Sequence, residues 1–160
     1  MRLPPLSGRP LRVEVRRALG PRLAASSIPR RLILLDAEVL ALHGDFERIL
    51  VHEIFHFAWV RLSNESRLGW ERLLAGELDR DVAGELGWSA ELEKSKLRTS
   101  DRWRRTPAWR RYACESFCDT AAWLFAGLCA HEEFTLQHRD RPARRAWFRR
   151  AILATAWLSI

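Results

Sequence analysis

The first forty residues carry the short apolar patterns that are typical of β-strands. Residues 11–16 alternate apolar and polar side chains, which predicts a half-buried strand. Residues 32–35 form a continuous apolar run that fits a second, more buried strand. Residues 26–29 predict a loop between the strands, and residues 1–10, with three Pro and one Gly, predict an irregular arm.

A change to helical spacing follows this region. Asp36 is suited to cap a short helical turn, and His43 predicts a surface bend after it. Asp45 then predicts the N-cap of a long helix over residues 46–62, because neither Gly nor Pro interrupts that stretch. The stretch is apolar nearly all round, so we expect this helix to be buried.

The chain after residue 62 predicts three further helices, with a turn over residues 83–89 and a weakly helical stretch over residues 91–97. An amphipathic helix of about 16 residues is expected after Ser63. Thr106 is a typical N-cap and is followed by Pro, which predicts a helix over residues 108–126. Pro142 opens a last helix, whereas the Arg-rich residues 98–105 predict an exposed loop.

These elements predict a small α+β protein that is mostly helical. Two or three strands would form a sheet beside the helix over residues 46–62. A chain of 160 residues has room for one domain with its own core, so we expect a single domain over residues 1–160. An apolar fraction of 48% and eight Trp favour a folded protein over a disordered one.

The charge and the apolar runs limit the classes of partner. A net charge of +7 would suit nucleic acid, but no nucleic-acid-binding motif accompanies it, so a solvated basic surface is favoured. No apolar run approaches the roughly 20 residues that a membrane span needs. The N-terminus lacks the apolar core of a signal peptide, so a cytoplasmic protein is expected. The oligomeric state is not indicated by any pattern.

The clearest chemical signal is the sequence His52-Glu53-Ile54-Phe55-His56 inside the apolar helix. A spacing of four residues places His52 and His56 on one helical face, where two imidazoles can bind one zinc ion. Glu53 lies about 100° around the helix and could reach a zinc-bound water without binding the metal itself. A buried helix whose His side chains bond to neighbouring carbonyls is the plainer alternative.

A catalytic zinc site normally needs a third protein ligand. Glu115 is the candidate, because it lies in an otherwise apolar predicted helix where a lone carboxylate would be costly. Asp119 lies one turn further along the same face and could accept the Nδ1–H of a ligating His, which would fix the tautomer of that His. The alternative is that both carboxylates pair with arginines.

The motif H-E-x-x-H followed by a helix with E-x-x-x-D resembles the gluzincin group of zinc metallopeptidases. The resemblance implies a zincin-like minimal domain, and it covers the two helices that carry these motifs. It implies that His52, His56 and Glu115 bind one Zn²⁺ ion and that Glu53 is the general base. It also implies that Asp119 supports the first His.

A closed structural zinc site is the main rival interpretation. Cys114 and Cys118 lie one helical turn apart, and with the two His they could form a His₂Cys₂ site in a binding or regulatory module, including one that associates with nucleic acid. However, the two Cys should point about 100° away from Glu115 and Asp119. We expect them to be reduced thiols packed as small apolar groups. A zincin-like protein without activity, which works through a partner, is a third alternative.

The expected activity is zinc-dependent hydrolysis of peptide bonds in a peptide or protein substrate. Zinc would lower the pKa of its bound water, and Glu53 would accept the proton and pass it to the leaving amine. An Arg, Tyr112 or His131 could stabilise the oxyanion. An extended peptide could pair with an exposed edge strand.

Overall fold

Helices dominate the structure, a computed structural model that describes residues 1–20, 23–42 and 44–160. The predicted fold class, α+β and mostly helical with a small sheet, is confirmed. The α-helices are α1 (Asp45–Trp59), α2 (Asn64–Asp79), α3 (Trp88–Ser95), α4 (Thr99–Arg104), α5 (Pro107–Phe125) and α6 (Arg141–Ala151). The strands are β1 (Leu6–Ser7), β2 (Arg12–Arg16), β3 (Ala24–Ser27), β4 (Leu32–Asp36) and β5 (Leu158–Ser159).

The main sheet has the strand order β2-β4-β3. The predicted strands are confirmed as β2 and β4, which pair in parallel, and the central strand β4 buries Ile33 and Leu35 completely. The expected half-burial of β2 is wrong, because β2 lies at the edge of the sheet with Val13 and Val15 exposed. β3 runs antiparallel to β4, with Ser26 opposite Ile33. β3 is therefore an edge strand, and it packs against α1.

Two predictions for the N-terminal region are wrong in part. The loop predicted over residues 26–29 begins inside β3, because Ser26 and Ser27 pair with β4 despite their low strand propensity. The arm over residues 1–10 is not wholly irregular. Its β1 pairs in parallel with β5 from the end of the chain, and this long-range contact orders it.

The two capping predictions before the long helix have different outcomes. Asp36 caps the 3-10 helix Ala37–Ala41 and accepts a hydrogen bond from the amide of Glu38, as expected. Asp45 does not cap α1. Gly44, at φ 85°, occupies the N-cap position, and Asp45 is the first helical residue, whose carboxylate pairs with Arg48. His43, predicted as a surface bend, lies outside the described residues.

The later helices follow the sequence at α2, α5 and α6, but not fully at α3 and α4. α3 begins at Trp88, inside the turn predicted over residues 83–89. α2 has 16 residues and is capped by Ser63, and α5 is capped by Thr106 with Pro in its first turn. The loop predicted over residues 98–105 is instead α4. The carboxylate of Asp101 in this helix accepts hydrogen bonds from the amide of Arg98 and the hydroxyl of Thr106. In the part of the chain that the structure describes, no helix is both long and apolar enough to cross a membrane.

An aromatic core joins α1, α2, α5 and α6. Phe117 of α5 lies at its centre, with its ring centroid 5.7 Å from that of Phe55 in α1 and 5.0 Å from that of Phe148 in α6. Trp70 of α2 contacts the same ring edge-to-face and donates its indole N–H to the carbonyl of Ala113. These contacts fix how α1 and α5 lie against each other, and the candidate site is built on those two helices.

Candidate metal centre

Three predicted ligand atoms converge where α1 lies against α5. Nε2 of His52 is 3.1 Å from Nε2 of His56, and these atoms lie 3.2 Å and 3.8 Å respectively from Oε2 of Glu115. His52 is buried, whereas His56 and Glu115 are half-buried and line a cleft. The structure therefore brings together the residues that the sequence predicted as metal ligands.

The spacing of these three atoms fits one tetrahedral zinc ion. Zinc bonds of about 2.0–2.2 Å put neighbouring ligand atoms about 3.3–3.6 Å apart. The three observed distances of 3.1, 3.2 and 3.8 Å bracket that range. Two imidazole nitrogens and one carboxylate oxygen are also a donor set that zinc accepts. The residues present therefore fit the metal that the motif implies.

Asp119 lies directly behind the first His, as predicted for a residue that accepts a hydrogen bond from it. Its Oδ1 is 2.7 Å from Nδ1 of His52, and its Oδ2 accepts the amide hydrogen of Ala90 at 2.8 Å. The backbone of Gly87 also lies against the carboxylate, because a Cβ at that position would come within 2.2–2.5 Å of its atoms. His52, the amide of Ala90 and the backbone of Gly87 therefore fix the orientation of this fully buried carboxylate from three sides.

Cys114 contacts the second His on its other ring nitrogen. Its Sγ lies 3.5 Å from Nδ1 of His56, whereas Nε2 of that ring faces His52. Sγ of Cys114, a ring nitrogen of His56 and a carboxylate oxygen of Glu115 lie within 4.8 Å of one another. The expectation that Cys114 is only a small apolar group is therefore wrong, since the thiol has a polar partner. Cys118 is completely buried, and its Sγ lies within 4.8 Å of ligand atoms of both His52 and His56.

The charges of the centre favour a cation. Burial alone would lower the pKa of His52, but the carboxylates of Asp119 and Glu115 hold that pKa well above its ordinary value. Burial would raise the pKa of Glu115, and His52 and His56 keep it below its ordinary value instead. The pKa of Cys114 falls to about 6, because hydrogen bonds from Cys118 and His56 outweigh burial.

Glu53 projects from the next position along α1 towards the edge strand. Its carboxylate is buried and accepts a hydrogen bond of 2.5 Å from the hydroxyl of Ser26 in β3. The same hydroxyl also lies 3.1 Å from the main-chain oxygen of Glu53. β3 therefore holds the predicted general base beside the predicted metal ligands without making it one of them.

A cleft of about 870 Å³ opens over these residues. β3 forms one of its walls through Ala24, Ala25 and Ser26. Trp88 and Leu92 of α3 also line it, and each is 58% exposed. The cleft therefore has an open, partly apolar entrance and a base that carries the polar groups of α1 and α5.

The structure places the two suggested oxyanion donors elsewhere. Tyr112 is fully buried on the far side of α5, where its hydroxyl donates a hydrogen bond of 2.6 Å to Glu85. His131 pairs with Asp45 at 3.3 Å. Arg111, which lies one turn before Glu115, is the arginine of α5 that lines the cleft, and its guanidinium pairs with Glu93 at 3.1 Å.

Several residues of the centre were not predicted from the sequence. Ser26 and Gly87 lie in segments predicted as a loop and a turn, and their role depends on contacts with distant parts of the chain. The position of Cys114 behind His56 depends on how α1 and α5 are rotated against each other. Helical spacing within one segment does not contain that information.

Comparisons with protein-family models, with curated proteins and with solved structures find no match for this chain. The resemblance to gluzincin metallopeptidases stays a prediction that rests on the two sequence motifs.

Proposed function

We propose that this protein is a zinc-dependent peptidase. The observation that carries the proposal is the triangle formed by Nε2 of His52, Nε2 of His56 and Oε2 of Glu115, with sides of 3.1–3.8 Å at the base of an open cleft. These three residues would hold one zinc ion. When bound there, zinc supplies a Lewis acid that makes a water molecule more acidic and polarises the scissile carbonyl.

Glu53 supplies the proton transfer in this proposal. It adjoins His52 in the sequence and lines the same cleft, so its carboxylate can accept the proton of the attacking water and deliver it to the leaving amine. The Ser26 hydroxyl donates a hydrogen bond to Oε2 of this carboxylate. That contact orients Glu53 and leaves the other oxygen for the proton.

The edge strand supports a peptide as the substrate. The amide of Asp36 bonds to the carbonyl of Leu23, so these two residues form a hydrogen-bonded pair. Because hydrogen-bonded and non-hydrogen-bonded pairs alternate along an antiparallel ladder, the N–H and C=O groups of Ala24 and Ser26 point away from β4. These groups are available to pair with an extended peptide that lies along the cleft. Arg111 lines the cleft, and its guanidinium can attract the developing negative charge on the carbonyl oxygen.

A non-catalytic zinc-stabilised module is the second candidate. It is favoured by the ligand atoms of His52, His56 and Cys118, which lie within 4.8 Å of one another and could bind zinc in a closed structural site. The excess of arginine would let such a module associate with nucleic acid. In that case Glu53 would have no chemical role. Cytoplasmic localisation remains a prediction under both proposals.

The change Glu53→Gln tests the catalytic proposal. Gln keeps the size and the helix propensity of Glu but cannot accept a proton, so the fold and the zinc content should persist. We expect hydrolysis of an unstructured peptide to fall by at least about 100-fold, the lower range for loss of a general base. Turnover of a quenched fluorescent peptide library measures this loss.

Glu47→Gln is the matched control, because it makes the same change in the first turn of α1, before the residues that line the cleft. It should hydrolyse peptides like the wild type. Equal turnover in wild type and Glu53→Gln, on any peptide that the wild type cleaves, would remove Glu53 from the role of base.

A further inference from the structure

We propose that Cys114 is a positioning residue that holds His56 in its metal-binding orientation. This inference rests on the proposed zinc site. Sγ of Cys114 lies 3.5 Å from Nδ1 of His56, while Nε2 of the same ring faces Glu115 and His52. If His56 binds the metal through Nε2, its Nδ1 carries the hydrogen and donates it to the sulfur of Cys114.

The two His ligands then have partners of different chemistry. Nδ1 of His52 lies 2.7 Å from a carboxylate oxygen of Asp119, which is itself fixed by the amide of Ala90. Nδ1 of His56 has a longer contact, to a sulfur. At 3.5 Å this contact is longer than the 2.7 Å contact of His52, so His56 is the less firmly held of the two ligands.

Sulfur in this position is a hydrogen-bond partner and not a ligand. Cys114 contacts Nδ1 of His56, whereas Nε2 of the same ring lies 3.8 Å from Oε2 of Glu115. Sγ of Cys114 also lies within 4.8 Å of a carboxylate oxygen of Glu115, so the spectrum of the cobalt-substituted protein decides between this role and direct ligation. In the proposed role, zinc is held by His52, His56 and Glu115, and Cys114 contacts only the other nitrogen of His56.

Zinc affinity of Cys114 variants tests this role. Cys114→Ala removes the acceptor and should lower the affinity by about 10-fold to 100-fold, the usual effect of losing such a partner. Cys114→Ser restores an acceptor and should recover part of that loss. Cys129→Ser, which changes an exposed cysteine, should match the wild type. Competition with a chromophoric chelator measures the affinities, and circular dichroism of the metal-free variants checks folding.

Cobalt(II) substitution separates a positioning role from direct ligation. Because a thiolate bound to cobalt gives an intense near-ultraviolet charge-transfer band, we expect the wild type to lack that band. A band that is present in the wild type and lost in Cys114→Ala would overturn the inference. An unchanged zinc affinity in Cys114→Ala, or an equal loss of zinc affinity in the Ala and Ser variants, would overturn it as well.

The outcome for the inference is distinguishable from the outcome for the proposed function. Wild-type protein that binds zinc and shows the expected order of affinities, but hydrolyses no peptide, would support the role of Cys114 and remove the peptidase activity. If the wild type hydrolyses peptides and Cys114→Ala binds zinc normally, the peptidase activity is supported and the role of Cys114 is removed. Wild-type protein that binds neither zinc nor cobalt would overturn both.

Discussion

Asp119 uses both of its carboxylate oxygens, and this determines how substitutions at that position should behave. One oxygen faces Nδ1 of His52 and the other accepts the amide of Ala90. Both contacts need an acceptor. A carboxylate satisfies the two at once, whereas the amide of Asn has one oxygen and one NH₂ group.

Asp119→Asn should therefore keep one of these contacts and lose the other. We expect zinc to stay bound when it is in excess, but with an affinity about 10-fold to 100-fold lower and with slower hydrolysis. Asp119→Ala should be worse, because it loses both acceptors. Chelator competition measures the affinities, with Asp79→Asn, an exposed position on α2, as the control.

A direct bond between zinc and Asp119, with Glu115 turned away, would show that the two carboxylates have been assigned in the wrong order. X-ray crystallography of the zinc-loaded protein would reveal such a bond.

Gly87 and the first turn of α3 form a clamp on the centre. Gly87 lies against the carboxylate of Asp119, and the amides of Trp88 and Ala90 donate to Glu133 and Asp119 respectively. The φ of Gly87 is in the extended region that any residue adopts. Its lack of a side chain matters because no space for a Cβ exists there.

Gly87→Ala should disturb both stability and metal binding. Its Cβ would lie 2.2–2.5 Å from the Asp119 carboxylate, so either the clamp or Asp119 must move. We expect a loss of about 1–3 kcal/mol in the free energy of unfolding, which is typical of overpacking, together with weaker zinc binding. Chemical denaturation and chelator competition measure the two effects.

Gly76→Ala is the matched control for this change. It lies within α2, where the nearest atom to an added Cβ is the guanidinium nitrogen of Arg80 at 3.4 Å. Ala in a helix interior should stabilise the protein by up to about 1 kcal/mol. If Gly87→Ala behaves like Gly76→Ala, the clamp does not constrain Asp119.

Elements with a local signal could be predicted from the sequence, and elements that depend on distant contacts could not. β2 and β4 have apolar patterns of their own, and α5 has Thr106 and Pro107 at its start. β3 has the sequence Ala-Ala-Ser-Ser, which carries no strand pattern and becomes a strand by pairing with β4. α4 has no apolar periodicity, and its Asp101 cap supplies the local order.

The residues of the candidate site also differ in whether a local sequence signal predicts them. His52, Glu53 and His56 are fixed by one short motif, and helical spacing joins Glu115 to Asp119 on one face. Tyr112 was suggested as an oxyanion donor, but its hydroxyl donates to Glu85 and its side chain does not line the cleft. Ser26 could not be predicted, because its contact with Glu53 spans 27 residues and two elements.

Buried ion pairs connect the helices on the side of α5 away from the cleft. Arg144 of α6 is completely buried and pairs at 2.7 Å with both Glu77 and Glu85. Burial alone would raise the pKa of Glu85, but Arg144 and Lys94 lower it below its ordinary value of 4.5. Since the folded protein binds this proton less tightly than the unfolded chain does, the carboxylate stabilises the fold when it is ionised.

This arrangement predicts a loss of stability in acid. The contribution of Glu85 should be fully present above about pH 4.5 and should disappear as the pH falls through its lower folded-state pKa. Urea unfolding of the metal-free protein at a series of pH values between about 3 and 7 measures it. Glu85→Gln should be less stable at pH 7 and should lose less stability on acidification. An equal acid dependence in both proteins would contradict the assignment to Glu85.

Zinc content tests the central claim most directly, because every proposed role depends on His52, His56 and Glu115 as the ligands. Elemental analysis after dialysis against a chelating buffer should find one zinc per chain in the wild type and in Glu93→Ala, which changes another carboxylate of the cleft. Glu115→Ala should have lost its zinc. Zinc that stays in Glu115→Ala but is lost from both Cys114→Ser and Cys118→Ser would contradict the account and establish a structural site.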